Sequence, residues 1–516
     1  MKIIYFLDNA QILGGAAHTL LRQAELMKSA GHDIIVALDN TEGGLYEAYM
    51  TFCIQRHMNT IRLPLYAISQ PEDINIPFIL EYFEETKKKI EEEKPDILHS
   101  VQINPLIELV ARALNIPHIM NIYQAIPDFF KIDYLDIFPK YHICDSKYYV
   151  DVWEKYLHTD SICIRTVAER GKKHRDSLQT GRIVKCICVG AVYKAKNQLS
   201  VIMACHKAIK NGIRLRLSIY GNHAGNSYGE ECIRYIHGHR LEEDIALRGF
   251  CDNMSEIYQE SDVLICGSTR ESYPNVISEA LANGVAVIST PVAGVPEVIK
   301  DRRNGYLCKG YTVDDIYEKI VEFKKDIKTG AIHEIMQNAD MTYEKVHSPE
   351  SVSAALEQYY QWLLRNFESK KIVSIDSLKK IFEDIFSIYY ENESVFSDKE
   401  KVQRKLWYLY HVRNRIKKQI QEKKDFYIWG TGKYGKVVYE LVTVYFKDMK
   451  ISGFVDSFKT GHYMEKTIYS PEEVLGRNEN IILVATVNGQ SEIIERLEKN
   501  NKKYMEDYYI LSQRWW

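Results

Sequence analysis

The chain lacks the features that would place it outside the soluble globular class. It has ten cysteines, all before residue 310, and no CxxC pair among them. Cys186 and Cys188 share one strand-like run, where buried thiols fit better than metal ligands. With no paired spacing there is no disulfide framework to read, so reduced thiols and a cytoplasmic setting are expected. No apolar stretch reaches the length of a bilayer-spanning helix. The opening run MKIIYFLDN is strand-like and lacks a signal peptide's long apolar core and cleavage site, so no leader is expected. Neither sign of charge dominates: 67 Lys and Arg stand against 70 Asp and Glu, a formal net charge of -3. That balance gives no reason to expect a nucleic-acid partner.

What is present is ordinary in composition, with 46% apolar and 27% charged residues over 516 positions. That length exceeds one core, and roughly two to four domains are expected. Residues 1–168 alternate strand and helix patterns: KIIYFL, then AAHTLLRQAELMKSAG, then DIIVAL, with DILHS, NPLIELVARALNI and HIMNIY following. Such alternation predicts a parallel sheet covered by helices on both faces. The polar, basic segment AERGKKHRDSLQTGR reads as a linker. The alternation restarts over 182–345 with RIVKCICVG, RLRLSIYG, VLICGS and VAVISTP. Two doubly wound halves of this kind hold a ligand between them. Residues 350–424 read as helical. ESVSAALEQYYQWLLRNF is amphipathic, and the stretch 401–424 carries nine Lys and Arg in 24 residues. That basic helix reads as a solvated strut, with membrane-surface attachment as the alternative. Residues 425–516 begin a third, smaller strand–helix alternation.

The most informative stretch is ESYPNVISEALANG. Seven residues separate Glu271 from Glu279. Tyr273–Pro274 disfavours helix before the proline. Pro274 suits a first helical position, and Gly284 suits the closing cap. Glu271 then lies in the loop ahead of a short helix and Glu279 lies inside it. Between them stand the free backbone N–H groups of the helix start. This arrangement suits a ligand with hydroxyls at both ends and negative charge in the middle.

Taken in order, LGGAAHTLLRQAELMKSAGHDIIVAL, VGAVYKAKNQ, LRGFCDN, SDVLICGS, the E-x7-E span and VAVISTPVAGVPEVIKDRRNGYL resemble the retaining glycosyltransferases of family four. The resemblance covers residues 1 to 365 and implies the GT-B fold of two Rossmann-like domains. It implies transfer of a sugar from a nucleotide-diphosphate sugar, with retained anomeric configuration and no metal. The donor would sit mainly on the second domain and a glycan or lipid-linked acceptor on the first, with a UDP-sugar favoured over a GDP-sugar. By position, Glu279 resembles the acid that holds the ribose, and Glu271 the acid that meets the donor sugar near the reacting centre. Lys196 resembles the lysine that neutralises the diphosphate. Asn275 and Val276 would offer backbone donors. Gly14 and Gly15 form the tight loop before the first helix, and Arg248 and Gly249 lie where the nucleobase is met. No Asp-x-Asp motif of the metal-dependent kind occurs. A cation and oriented amides aimed at the leaving group would stabilise the transition state more than the ground state.

The chain departs from the family at three points. Ala191 stands where the family often has an arginine, leaving Lys194 as a candidate replacement. Tyr123 stands where many members have a histidine near the reacting sugar; tyrosine can hydrogen-bond but is a poor base at neutral pH. The first loop reads Gly-Gly-Ala-Ala rather than Gly-Gly-Ala-Glu, and His18 follows as a candidate cleft residue. The third module carries Gly430, Gly432 and Gly435 as G-x-G-x-x-G between a strand and a helix, with Asp456 at the next strand's end, the context of a dinucleotide fingerprint. It resembles the small Rossmann-like modules appended to sugar-modifying enzymes, and a nucleotide, a nucleotide-sugar or no ligand remain open for it. The main expectation is therefore a cytoplasmic glycosyltransferase of cell-surface polysaccharide or glycan synthesis. The alternatives are an NAD(P)- or nucleotide-binding oxidoreductase or sensor working through 425–516, and a non-catalytic partner in a glycosyltransferase complex. The stretch 370–424 is the expected surface for pairing with a second copy.

Overall fold

Three sheets organise the chain. The structure, a computed structural model, describes residues 1–7, 15–39, 44–65, 76–123, 139–157, 159–171, 178, 181–222, 225, 227–251, 253–369, 420–422, 424–477, 480–486, 489–503 and 506–510. The chain divides into two compact units, one of residues 1–67, 85–125 and 138–371, the other of residues 68–84, 126–137 and 372–516.

The first unit holds two parallel sheets. One contains β1 (Lys2–Phe6), β2 (Asp33–Asp39), β3 (Asn59–Leu63), β4 (Ile97–Val101), β5 (His118–Asn121), β6 (Tyr141–Cys144) and β7 (Asp160–Cys163), in the order β3-β2-β1-β4-β5-β6-β7. The other contains β8 (Val184–Val189), β9 (Leu215–Tyr220), β10 (Ile245–Gly249), β11 (Val263–Cys266), β12 (Ala286–Ser289) and β13 (Tyr306–Leu307), in the order β10-β9-β8-β11-β12-β13. Every residue of β4, β5, β6, β11 and β12 is buried. Continuous burial is what helices on both faces of a parallel sheet impose, and it explains why these strands read as runs rather than alternations. This is the pair of Rossmann-like halves expected from the sequence. The amphipathic helix Pro349–Asn366 follows the second half and packs on the helix Gly15–Ser29 of the first. Tyr360 on the former reaches Tyr5 in β1, with 2.8 Å between their hydroxyls.

The second unit holds a third sheet: β14 (Asp425–Trp429), β15 (Ile451–Val455), β16 (Gly461–Tyr463), β17 (Lys466–Tyr469), β18 (Asn480–Val484) and β19 (Tyr508–Ile510), ordered β16-β17-β15-β14-β18-β19. The expected strand–helix alternation fails here at one step. Between β15 and β17 stands the antiparallel strand β16 in place of a helix. Met464 and Glu465 join β16 to β17 with φ of 51° and 63°, the left-handed pair that a tight two-residue hairpin turn demands. The basic helix expected at 401–424 and the pairing surface expected at 370–424 lie almost wholly outside the described residues, as does most of the expected linker. Among the described residues, no helix is long and apolar enough to cross a membrane.

Candidate active site

The site begins where β8 and β9 end. Gly190 follows β8 with φ of 134°, and a Cβ on Gly221, after β9, would lie 1.9 Å from the Gly190 carbonyl oxygen. Only glycine at 221 permits that approach. The Gly221 amide donates to the Gly249 carbonyl at 2.8 Å, so three strand ends close into a side-chain-free ledge. Lys196 comes from the short 3-10 turn Lys194–Lys196 and passes over the ledge; a Cβ on Gly190 would sit 3.5 Å from its Cε. The Lys196 ammonium is ion-paired with Glu271 Oε1, and Ser268 Oγ donates to the same oxygen at 3.2 Å. Burial pulls the Lys196 pKa down, but the Glu271 carboxylate outweighs it, so the amine stays charged. Among the described residues, Glu271 Oε2 accepts no hydrogen bond.

The helix after Glu271 spans Asn275–Ala282. Pro274 sits one place earlier than its expected first helical position: with φ of -66° and ψ of 119° it is the N-cap. A proline there has no side-chain oxygen to cap the first turn. The amides of Asn275 and Val276 are therefore left without a side-chain cap. Asn283 is the C-cap, and Gly284 follows it with φ of 63°. The start of the first helix meets this one. Asn275 Nδ2 lies 3.4 Å from Thr19 Oγ1, and a Cβ on Gly15 would be 3.2 Å from the same nitrogen. Two helix N-termini thus converge, and their dipoles favour an anion. Glu279, one turn along, accepts from the Tyr258 hydroxyl at 2.7 Å. Burial raises its pKa, while Tyr258 and the charge of Arg22 oppose the rise. Arg22, from the first half, is absent from the sequence-derived set. Its signal is helical spacing, since it follows Thr19 by three residues and so shares its face.

The remaining candidates fall in several places. Arg248 is exposed and makes no ion pair among the described residues; beside it Gly249 has φ of 75° and Phe250 is 76% exposed. Ala191 and Lys194 are exposed. His18 is exposed, its ring edge-on to Phe52 at 6.4 Å. Tyr123 accepts from Asn121 Nδ2 at 2.9 Å, and burial raises its phenol well above the usual value. Gly14 lies outside the described residues.

A second cluster, unforeseen in the sequence, joins the halves beside Glu271. Asp145, just past β6, is buried and accepts a hydrogen bond from the Ser272 hydroxyl. Burial pushes its carboxyl up to about 7, against the opposing pull of Ser272 and Arg165. Arg165 Nη1 donates to the Asp145 carbonyl at 2.5 Å, and Arg165 also pairs with Glu297. Both Glu297 oxygens accept from the start of the helix Lys147–Leu157, from the Lys147 and Tyr148 amides at 2.9 Å each.

In the second unit, packing accounts for two of the three fingerprint glycines. A Cβ on Gly435 would be 1.9 Å from the Gly430 carbonyl oxygen, and one on Gly430 would be 2.7 Å from that of Ala485. Gly432, the N-cap of the helix Lys433–Tyr445, faces open space. Asp456 Oδ2 accepts from the Thr431 hydroxyl at 2.5 Å, and its Oδ1 accepts from the Phe458 and Lys459 amides at 2.9 and 3.1 Å. It braces the glycine loop.

Residues 170–340, which hold Lys196, Glu271 and Glu279, match the family model described as glycosyl transferases group 1. Over 134 residues the chain is 32% identical to the N-acetyl-alpha-D-glucosaminyl L-malate synthase of Bacillus anthracis, covering 26% of this chain and 34% of that one. It is 25% identical over 146 residues to the poly(glycerol-phosphate) alpha-glucosyltransferase of Bacillus subtilis, covering 28% and 21%. The chain thus spans about a third or less of these relatives' lengths. A glycosyltransferase from Rickettsia africae matches in structure with a TM-score of 0.60 at 18% identity, covering 70% of this chain and 99% of that one. The Anabaena protein HepE in complex with UDP matches with a TM-score of 0.57 at 15% identity, covering 70% and 100%. The two halves, residues 1–168 and 182–345, therefore together have the GT-B fold.

Proposed function

We propose that this chain is a retaining, metal-independent glycosyltransferase of the hexosyl-transferring kind, with a nucleotide-diphosphate sugar as donor. The observation that carries the reading is the Lys196–Glu271 pair, set beside the uncapped start of the helix Asn275–Ala282. Residues 182–345 bind the donor, residues 1–168 the acceptor, and residues 350–424 form the return and linker. The diphosphate lies over the Gly190–Gly221 ledge, where Lys196 and the amides of Asn275 and Val276 meet its charge. Gly14 and Gly15 admit it from the first half. Glu279 holds the ribose hydroxyls and the Arg248–Gly249 turn meets the base. Glu271 Oε2, which accepts no hydrogen bond among the described residues, meets a sugar hydroxyl.

As the anomeric carbon–oxygen bond breaks, negative charge grows on the leaving diphosphate. A fixed cation and fixed dipoles lower that transition state without the reorganisation water would need. The leaving phosphate oxygen takes the acceptor's proton as the new bond forms on the same face, so configuration is kept. UDP is the favoured nucleotide, a choice supported by a fold neighbour whose structure contains UDP. Synthesis of a cell-surface polysaccharide or glycan at the cytoplasmic membrane face fits relatives such as the poly(glycerol-phosphate) alpha-glucosyltransferase. The test is a panel of nucleotide sugars, with binding by calorimetry, product configuration by NMR, and turnover with and without EDTA. Failure to bind any nucleoside diphosphate would sink the reading.

A second site in residues 425–516 has one observation in its favour. Gly432 leaves open space at a helix start, where a phosphate fits. The ligand would be a nucleotide held through Gly430, Gly432 and Gly435. Fluorescence titration with NADH tests this, and Gly432→Asp should abolish any signal.

A further inference from the structure

A chain of buried hydrogen bonds runs from the return helix through the first sheet to Tyr123. Tyr5, His99, Asn121 and Tyr360 are fully buried and Gln23 nearly so. Tyr5 Oη and Tyr360 Oη are 2.8 Å apart, and Tyr360 Oη lies 2.6 Å from His99 Nδ1. His99 Nε2 is 2.8 Å from Asn121 Oδ1. Asn121 Nδ2 donates to Gln23 Oε1 at 2.6 Å and to Tyr123 Oη at 2.9 Å.

The donors in this chain have one direction. Burial drives His99 down to about 3, so its ring is neutral and carries a single N–H. Asn121 Oδ1 can only accept, so that hydrogen is on Nε2. Nδ1 then accepts from Tyr360, and Tyr360 accepts from Tyr5. Both amide hydrogens of Asn121 are committed, to Gln23 and to Tyr123. The Tyr123 oxygen is thus an acceptor toward the core, and its own proton points the other way. Thr19 is a further polar neighbour of the phenol. Thr19 Oγ1 gives its proton to the Gly15 carbonyl at 2.8 Å and lies 3.4 Å from Asn275 Nδ2. Tyr123 therefore offers its proton at the seam where the two helix starts meet.

We propose that His99, Asn121 and Gln23 are positioning residues that make Tyr123 a hydrogen-bond donor to an oxygen of the substrate, a sugar hydroxyl or ring oxygen. This rests on the sugar-transfer reading. Ligand entry moves the Tyr123 proton from Thr19 to that oxygen. A half-buried, pre-aimed donor loses little on reorganisation, which is the advantage of holding it from behind.

The test is a reversal at constant volume. Asn121→Asp leaves a group that only accepts, so Tyr123 must turn its proton toward the core. Tyr123→Phe and Asn121→Asp should each lower kcat for sugar transfer about tenfold to a hundredfold, with the affinity for UDP unchanged. The double variant should lose no more than either single one. Losses that multiply, or a Tyr123→Phe enzyme with unaltered kcat, overturn the proposal. If Asn121→Asp does not fold, His99→Gln keeps a donor and an acceptor and should retain activity that His99→Leu loses; equal losses overturn it. One readout needs no turnover. Nitrogen-15 shifts of His99 should report the neutral Nε2–H tautomer, and a proton on Nδ1 overturns the proposal. An inactive wild type with the expected tautomer counts against sugar transfer alone.

Discussion

Lys196 pairs with Glu271 and Asp145 accepts from the next residue, Ser272, yet burial has different outcomes for them. Lys196 keeps its charge because Glu271 is beside it. Lys196→Ala should lower kcat/KM for transfer by about a hundredfold to a thousandfold and weaken UDP binding, measured by steady-state kinetics and calorimetry. For Asp145 the opposing pull of Ser272 and Arg165 is too weak, and burial pushes it up to about 7. Its unfolded value is near 3.9. Between those values the folded protein holds one more proton than the unfolded chain, so this group's contribution to stability falls as pH rises from about 4 to 7. Asp145→Asn removes that dependence and keeps an acceptor for Ser272. The melting temperature of the variant, relative to wild type, should climb between pH 5 and pH 8; a difference that stays flat refutes the assignment. The E-x7-E acids were legible because their spacing straddles a local helix start. Asp145 was not: nothing in HICDSKYY says that Ser272 will lie against it.

At the scale of elements, most strands and helices of the first unit follow from their own residues. Apolar runs became buried parallel strands, and the 3.6-residue pattern of LIELVARAL became the helix Pro105–Leu114. The cap of the helix Lys147–Leu157 is only partly local, through Ser146 Oγ, which accepts from the Tyr149 amide at 3.3 Å. Its first amides are met by Glu297, from a distant element of the other half. Local sequence could not disclose this, because a carboxylate supplied from far along the chain leaves no capping motif. Glu297→Ala removes these two acceptors and the Arg165 pair together, and leaves Ser146 Oγ on the Tyr149 amide. Thermal unfolding should show a loss of about 2 kcal/mol, and Glu297→Gln, which keeps one acceptor, should lose less. The hairpin at Met464 and Glu465 escaped notice for a similar reason. Neither residue advertises a left-handed turn, and tertiary pairing of β16 with β17 holds them there.

At the scale of the whole molecule, the two Rossmann-like halves fall in one compact unit and the third sheet in another. Gly435 is the point at which to separate their roles. A Cβ there meets the Gly430 carbonyl oxygen at 1.9 Å, so Gly435→Ala must displace the loop or the helix. Amide hydrogen exchange should quicken across 425–456, while UDP affinity and any sugar transfer stay at wild-type values. A parallel loss of UDP binding would mean that the third module supports the first unit's site. The three-sheet organisation was legible from repeated strand–helix alternation, since each alternation is a local pattern. Which side chains meet across the halves was not.

By itself the chain's order of residues determined most of the strands and helices, and that Glu271 and Glu279 flank a helix start. These depend on neighbours within a few positions, and backbone sterics and periodicity act at that range. The tertiary structure alone decided that Thr19 meets Asn275, that Ser272 meets Asp145, and that Tyr360 reaches His99 from the far end of the unit. Such contacts join residues a hundred or more positions apart, and only the packing of the two halves brings them within hydrogen-bonding distance.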